Sequence, residues 1–316
     1  MSLETPAPAA FSEPEPRRPP QWRGAFASLG IGLGAALIGL LPWILTGMRL
    51  PLQAMWAFEA LPEQMPIALL PLGNSYLTAV IGMLVVGGVA AGIAARALRS
   101  RLPARAPLSI AAGLLFVQIV ATAQSAQALE SGLPADDRAS LYLLASVGIA
   151  VVGMLFAVLA FGLVAAAPRA GAMIGLVLGA LAVGWWLEMA MSPRGVLPIG
   201  LALGGVVRRI PAVLVGVAIA WAGVRSVGRA IAAVASLLLL WFVPAVATAV
   251  TAGVGSSMML HFPAELREYV LSVFSAYLSM PSLVLPPLVI AVVVAAAGIA
   301  LRAVLARRRR AAPLSE

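Results

Sequence analysis

The sequence predicts an all-α, polytopic integral membrane helix bundle, with about eight transmembrane helices and further helices at the outer interface. Three observations predict it. The 316 residues are 62% hydrophobic and 10% charged, with a mean hydropathy of +1.01, whereas a soluble domain is roughly half apolar and a quarter charged. Several apolar runs exceed the ~18 residues that read as a membrane-spanning helix. The charged residues gather mostly between those runs.

The elements follow in order. Residues 1–22, with "ETPAPAAFSEPEPRRPPQ", are polar and proline-rich and predict a disordered cytoplasmic tail. The run 24–46 is too long for a signal-peptide core and has no clear cleavage site, so it predicts the first span. Further spans are predicted at 75–95, 108–128, 140–164, 171–190, about 207–224, 230–253 and 284–304. The helical membrane domain is thus 23–306, followed by a basic tail at 307–316 that begins with "RRRR".

Arginine sets the orientation. All 21 basic residues are Arg, and with the N-terminus inside, 15 of them fall on cytoplasmic segments. Only Arg49, Arg138, Arg194, Arg208, Arg209 and Arg267 fall outside, while eight of the twelve acidic residues do. The positive-inside rule then predicts both termini in the cytoplasm of a bacterial inner membrane. The Lys-free, Ala/Gly/Pro-rich composition points to a GC-rich genome such as that of an actinobacterium. The net charge of +9 lies beside the spans, where guanidinium groups meet lipid phosphates, so membrane lipids are the expected partner and nucleic acid is not.

Three outer segments carry their own patterns. In loop 48–76, Pro51 and Pro62 bracket a predicted short helix with Met55, Trp56 and Phe58, and "MPIALLPLG" follows. Residues 196–207 are too few to cross ~30 Å at 1.5 Å per residue; they read as re-entrant, interfacial or part of helix six. In 262–281, Phe262, Leu266, Tyr269, Val270, Val273, Phe274, Tyr277 and Leu278 recur at a 3.6-residue period between Pro263 and Pro281. This predicts an amphipathic helix over 263–280, parallel to the membrane and packed on lipid or on the bundle.

Arg208-Arg209 interrupt an apolar stretch. Pro211 is a typical first-turn residue, so helix six is predicted to start there with both side chains snorkelling to outer headgroups. Glu188, in "VGWWLEMAM", should lie at similar depth and makes Glu188, Arg208 and Arg209 a candidate intramembrane ion pair or substrate-handling site. Gln118, Gln124 and Gln127 are the other polar groups in reach of a transport role. Gly171/Gly175/Gly179, Gly30/Gly34 and Gly88/Gly92 predict close helix packing. Trp43, Trp56, Trp185 and Trp186 predict outer interface anchors.

Signs of catalysis are scarce. There is no Cys, so thiolate chemistry and Cys-based metal sites are excluded. His261 is the one histidine and lacks ligand-spaced partners. No nucleophile elbow, phosphate loop or dinucleotide fingerprint occurs. No catalytic, cofactor or metal residue is expected. Candidate outer-face binding residues are Trp56, Glu59, Glu63, His261 and Arg267. Glu59 and Glu63 are superficially similar to the acidic first loops of polyprenyl-phosphate-using glycosyltransferases, which makes a lipid-linked-sugar transferase a minor alternative.

At "LPWILTGMRLPLQAMW" and "LPEQMPIALLPLG" (41–73), supported by "WFVPAVATAV" (241–250), the chain resembles hydrophobic multi-span proteins of actinobacteria, the streptophobe-type family. A fainter likeness in layout is to permease-like cell-division membrane proteins. The resemblance implies a fold and a membrane location; the family has no established catalytic residues to carry over. The expected function is a non-enzymatic, permease-like membrane protein that acts as partner or scaffold of an envelope complex through its outer loops. The alternative is a transporter or flippase of a hydrophobic, lipid-like cargo.

Overall fold

The computed structural model describes residues 21–50, 56–57, 61, 64–191, 201–255 and 262–311. Ten α-helices form among them: α1 (Gln21–Leu45), α2 (Leu77–Ala97), α3 (Ala106–Glu130), α4 (Asp137–Ala166), α5 (Arg169–Ala190), α6 (Leu201–Val207), α7 (Ile210–Ala222), α8 (Val227–Gly255), α9 (Pro263–Leu278) and α10 (Pro281–Ala311). Eight helical stretches are long and apolar enough to cross a membrane, with α6 and α7 counted as one from Gly204 to Ala222. The chain is therefore an all-α, polytopic membrane bundle. Its spans lie within a few residues of those predicted.

α2 is the hub of the first five helices, with 67% of its most apolar window buried, whereas α10 is peripheral at 11%. Small residues make the central position possible. A Cβ on Gly88 would collide with Ala157 of α4, and one on Gly179 of α5 would meet Val89 of α2. Gly175 similarly meets Val164. These contacts fulfil the packing expected of two of the stripes. The third stripe fails. Gly30 and Gly34 face open space, and α1 uses Gly32 against the backbone of Ile110 and Leu114, and Gly39 against Met83 and Gly87. Gly32 and Gly39, seven residues apart, share the helix face that packs, and Gly30 and Gly34 do not.

The loop after α1 folds back into the bundle. Gly47 (φ +89°) and Met48 (φ +56°) turn the chain back at the end of α1, a backbone region that non-glycine residues seldom enter. Leu50 N–H then donates to Pro66 O (2.9 Å), and Ala68 N–H to Met48 O (2.9 Å), around an antiparallel bridge between Arg49 and Ile67. Leu50, Met65, Ala68, Leu70 and Leu72 are almost fully buried, and most of them join Leu40, Trp43, Leu84 and Leu129 in one core. The described parts of the loop form a plug in one end of the first five helices. The predicted helix at 51–62 lies largely outside the described residues.

α9 forms as predicted, with Leu266, Tyr269, Val270, Val273, Phe274, Tyr277 and Leu278 half-buried between exposed neighbours. Its partner is protein. Gly253 of α8 faces Val270 and Leu266, and Phe242 lies 6.5 Å from Phe274 between ring centroids. Rising numbers in α9 meet falling numbers in α8, so α9 runs back along the C-terminal part of α8 and does not spread flat over the bundle. Phe262 departs from the expected face: it is 55% exposed at the N-cap.

Two boundaries also differ. α1 starts at Gln21, within the stretch expected as tail, and α10 runs on to Ala311 through the four arginines. The expected basic tail thus begins as helix. The remainder of both tails, 1–20 and 312–316, lies outside the described residues.

Candidate functional site

Pro211 explains the break at Arg208-Arg209. It has no N–H for Val207 O and its ring disfavours a continuous helix. The chain answers with a two-residue turn, Arg208 N–H donating to Gly204 O (3.2 Å) and Arg209 N–H to Val206 O (3.0 Å). Residues 201–207 are thus a short helix leading into α7. The start of the segment, 192–200, lies outside the described residues.

Depth follows from helix rise. Arg169 to Glu188 along α5 is about 28 Å, and Ala222 back to Arg208 along α7 is about 21 Å. The start of α5 and the end of α7 lie at the same level, since Arg169 and Ala222 line one pocket. Arg208 thus roots about 7 Å deeper than Glu188, a gap that an extended arginine side chain bridges by snorkelling.

The two residues face a common cavity of about 660 Å³ walled by α5 to α10. Glu188, Arg208 and Tyr277 supply its polar groups; Leu181, Leu240 and Val284 belong to its apolar wall. The Arg208 charge acts on the Glu188 carboxyl. No described basic side chain comes within 4.0 Å of it, so the candidate pair shares a cavity without ion-pair contact. Arg209 is exposed and does not line this space. Burial pushes the Tyr277 phenol above its ordinary 10.0, which keeps it a neutral hydroxyl at physiological pH. The volume lies within the range of small-molecule sites, which are mostly apolar with a few orienting polar groups.

The other candidates divide. Trp56 packs half-buried over Gly132, where Ala57 N–H also donates to Gly132 O (3.0 Å). Arg267 is exposed on α9. Glu59, Glu63 and His261 lie outside the described residues. Gln124 donates to Ile67 O (2.8 Å) and accepts from Leu69 N–H (2.8 Å), while Gln118 donates to Leu84 O (3.0 Å). These amides pin backbone. Trp43 and Trp186 also differ from lipid-facing anchors: their indole N–H groups donate inward, to Ala68 O (2.7 Å) and Gly39 O (2.9 Å).

Sequence reasoning missed three arginines that cap helix ends. Arg96 donates to Val164 O and Ala167 O at the end of α4. Arg229 donates to Ala222 O, and Arg302 to Ala220 O and Trp221 O, at the end of α7. Cations favour the carbonyl-rich, negative end of a helix. The signal was the abundance of arginine at this end, but sequence does not say which carbonyl each one reaches.

The fold and the cavity define a class: a multi-pass helical membrane protein with an amphiphilic cavity near one end of its spans. No known family, no functionally described protein and no solved structure matches the chain.

Proposed function

We propose that this chain is a non-enzymatic, permease-like protein of a bacterial inner membrane, with both termini cytoplasmic, that admits a lipid-like molecule into its outer cavity. One observation carries the reading: Glu188 and Arg208 project opposite charges into one otherwise largely apolar, 660 Å³ space between α5 and α10. Such a lining complements a zwitterionic headgroup, phosphate towards Arg208 and ammonium towards Glu188, with the apolar body on the aliphatic wall. Proteoliposomes holding a fluorescent zwitterionic phospholipid test it. The full chain is expected to speed transbilayer movement, and Glu188→Gln with Arg208→Gln to return it to the protein-free rate. A wild-type rate equal to empty liposomes removes the cargo reading.

The scaffold reading keeps one observation of its own. α9 packs one face on α8 and leaves Glu265, Arg267 and Glu268 exposed. Pull-down of the full chain, with Arg267→Glu as comparison, is expected to recover a defined partner that the variant loses. Recovery of the same proteins by both removes that role for α9. Orientation is checked separately in this Cys-free chain. A membrane-impermeant thiol reagent on intact cells is expected to label Ser131→Cys and not Ser100→Cys, two exposed positions at opposite ends. The reverse pattern inverts the topology.

A further inference from the structure

The opposite end of the bundle holds a second, chemically different site. A pocket of about 460 Å³ lies where α5 begins, α7 ends, α8 begins and α10 passes. Four guanidinium groups line it, those of Arg169, Arg225, Arg229 and Arg302, beside the aliphatic side chains of Ile299 and Leu305. We propose that this pocket binds the phosphate of an anionic phospholipid headgroup.

Two of the arginines are held in place by the fold. Arg229 donates through Nε to Ser226 Oγ (3.0 Å) and through Nη1 to Ala222 O (3.1 Å), and Arg302 uses Nη1 on Ala220 O and Trp221 O. No described hydrogen bond engages Nη2 of either, and a guanidinium carries five donors in a planar fork that matches phosphate. Arg169 and Arg225 are exposed at the rim, and no described hydrogen bond ties them down.

No described carboxylate answers this charge locally. Among the described residues the carboxylates are Glu130, Asp136, Asp137, Glu188, Glu265 and Glu268. All six belong to the other end: the end of α3, the start of α4, the end of α5, and the start of α9 beside the end of α8. Four like charges around one pocket repel, and a bound anion relieves that repulsion. A zwitterionic headgroup brings an ammonium as well, which this cluster disfavours.

Position decides between a lipid phosphate and a free one. The pocket sits at the level where α7 ends at Ala222 and α8 starts at Val227, the depth of the headgroup layer for a bundle of this length. Its wall includes α10, the most lipid-facing helix, through Ile299 and Leu305. Aliphatic walls beside a cationic cluster suit a phosphate that carries acyl chains. An inorganic ion gains nothing from them.

The test uses the full chain in nanodiscs of phosphatidylcholine, with and without phosphatidylglycerol, and native mass spectrometry to count retained lipids. Wild type is expected to retain phosphatidylglycerol selectively and to melt at higher temperature in its presence. Arg169→Gln with Arg225→Gln should weaken retention about tenfold and abolish the shift. Arg307→Gln with Arg308→Gln, on the same end but outside the pocket, should change neither. If the pocket double variant does not assemble, Arg225→Gln alone, in the α7–α8 turn, carries the same comparison. Equal retention by wild type and pocket variant overturns the proposal. So does an equal loss in the control variant, which reduces the effect to general surface charge. Stabilisation by inorganic phosphate in phosphatidylcholine discs that matches phosphatidylglycerol also overturns it and leaves a free-anion site.

Discussion

The two halves of the bundle treat polar groups in opposite ways. In α1–α5 one end is plugged by residues 48–50 and 64–73, and its polar side chains bond backbone: Gln124 to Ile67 and Leu69, Ser125 to Leu70 N–H, Trp43 to Ala68. In α6–α10 the described residues at the same end leave a cavity of about 660 Å³. Helices are interrupted or carry internal prolines, α9 leans on α8, and Glu188 and Arg208 face a cavity. A backbone group unsatisfied in lipid costs several kcal/mol, so a loop at membrane depth is tolerated where side chains satisfy it. The first half is packed at this end, and the second keeps a cavity there.

The strongest way to break this contrast is to attack the closeness of the first half. A Cβ at Gly32 would sit against Ile110 O and Leu114 N, whereas Gly34 faces open space. Gly32→Ala is expected to lose about 3 kcal/mol through overpacking. Gly34→Ala should gain up to about 1 kcal/mol of helix propensity. Thermal unfolding in detergent compares them, and equal effects would refute the tight packing of α1 on α3.

Next in size is the plug. Gln124→Ala leaves Leu69 N–H and Ile67 O without their partner, a loss of about 2 kcal/mol. It should also expose the 56–73 segment to limited proteolysis. An unchanged digestion pattern would mean that the loop is held by apolar burial alone.

The charges of the second half should matter less for stability. In an open, wet cavity, Glu188→Gln and Arg208→Gln are each expected to cost about 1 kcal/mol or less, with additive effects in the double variant. A loss of several kcal/mol on removing either one, restored by removing both, would mark a dry and strongly coupled pair. The halves would then not differ as described.

The smallest effect belongs to Tyr277→Phe. The phenol's value is raised in the folded protein, so its contribution to stability is complete below the unfolded value of about 10 and is lost as pH rises through the folded one. Wild type and variant should therefore melt alike at neutral pH, and wild type should weaken more than the variant above about pH 10. Parallel curves across that range would place Tyr277 in water.

Much of the fold was legible before any coordinates. Apolar runs of span length have few other solutions, because backbone in lipid must satisfy itself within one helix. The 3.6-residue stripe of α9 was equally local, and so was the stop that Pro211 imposes. The site was legible in part: Glu188 and Arg208 stood out as charges in apolar sequence near one boundary of neighbouring spans, while the roughly 7 Å offset between their levels came only with the structure. Arg209 stood out equally, but only the rotation of one residue around the helix separates it from the cavity, and a two-residue turn leaves that rotation open.

What the sequence determined by itself was therefore the number, length and lipid-solubility of the helices, properties that each segment carries alone. Tertiary structure decided which glycine phase of α1 meets α3, that an apolar loop plugs one end, that glutamines bind backbone, and that four distant arginines share one pocket. These depend on rotation about helix axes and on which helices become neighbours. Both are set by side-chain packing across the whole bundle, where a hundred-degree step per residue turns a small difference in register into a different partner.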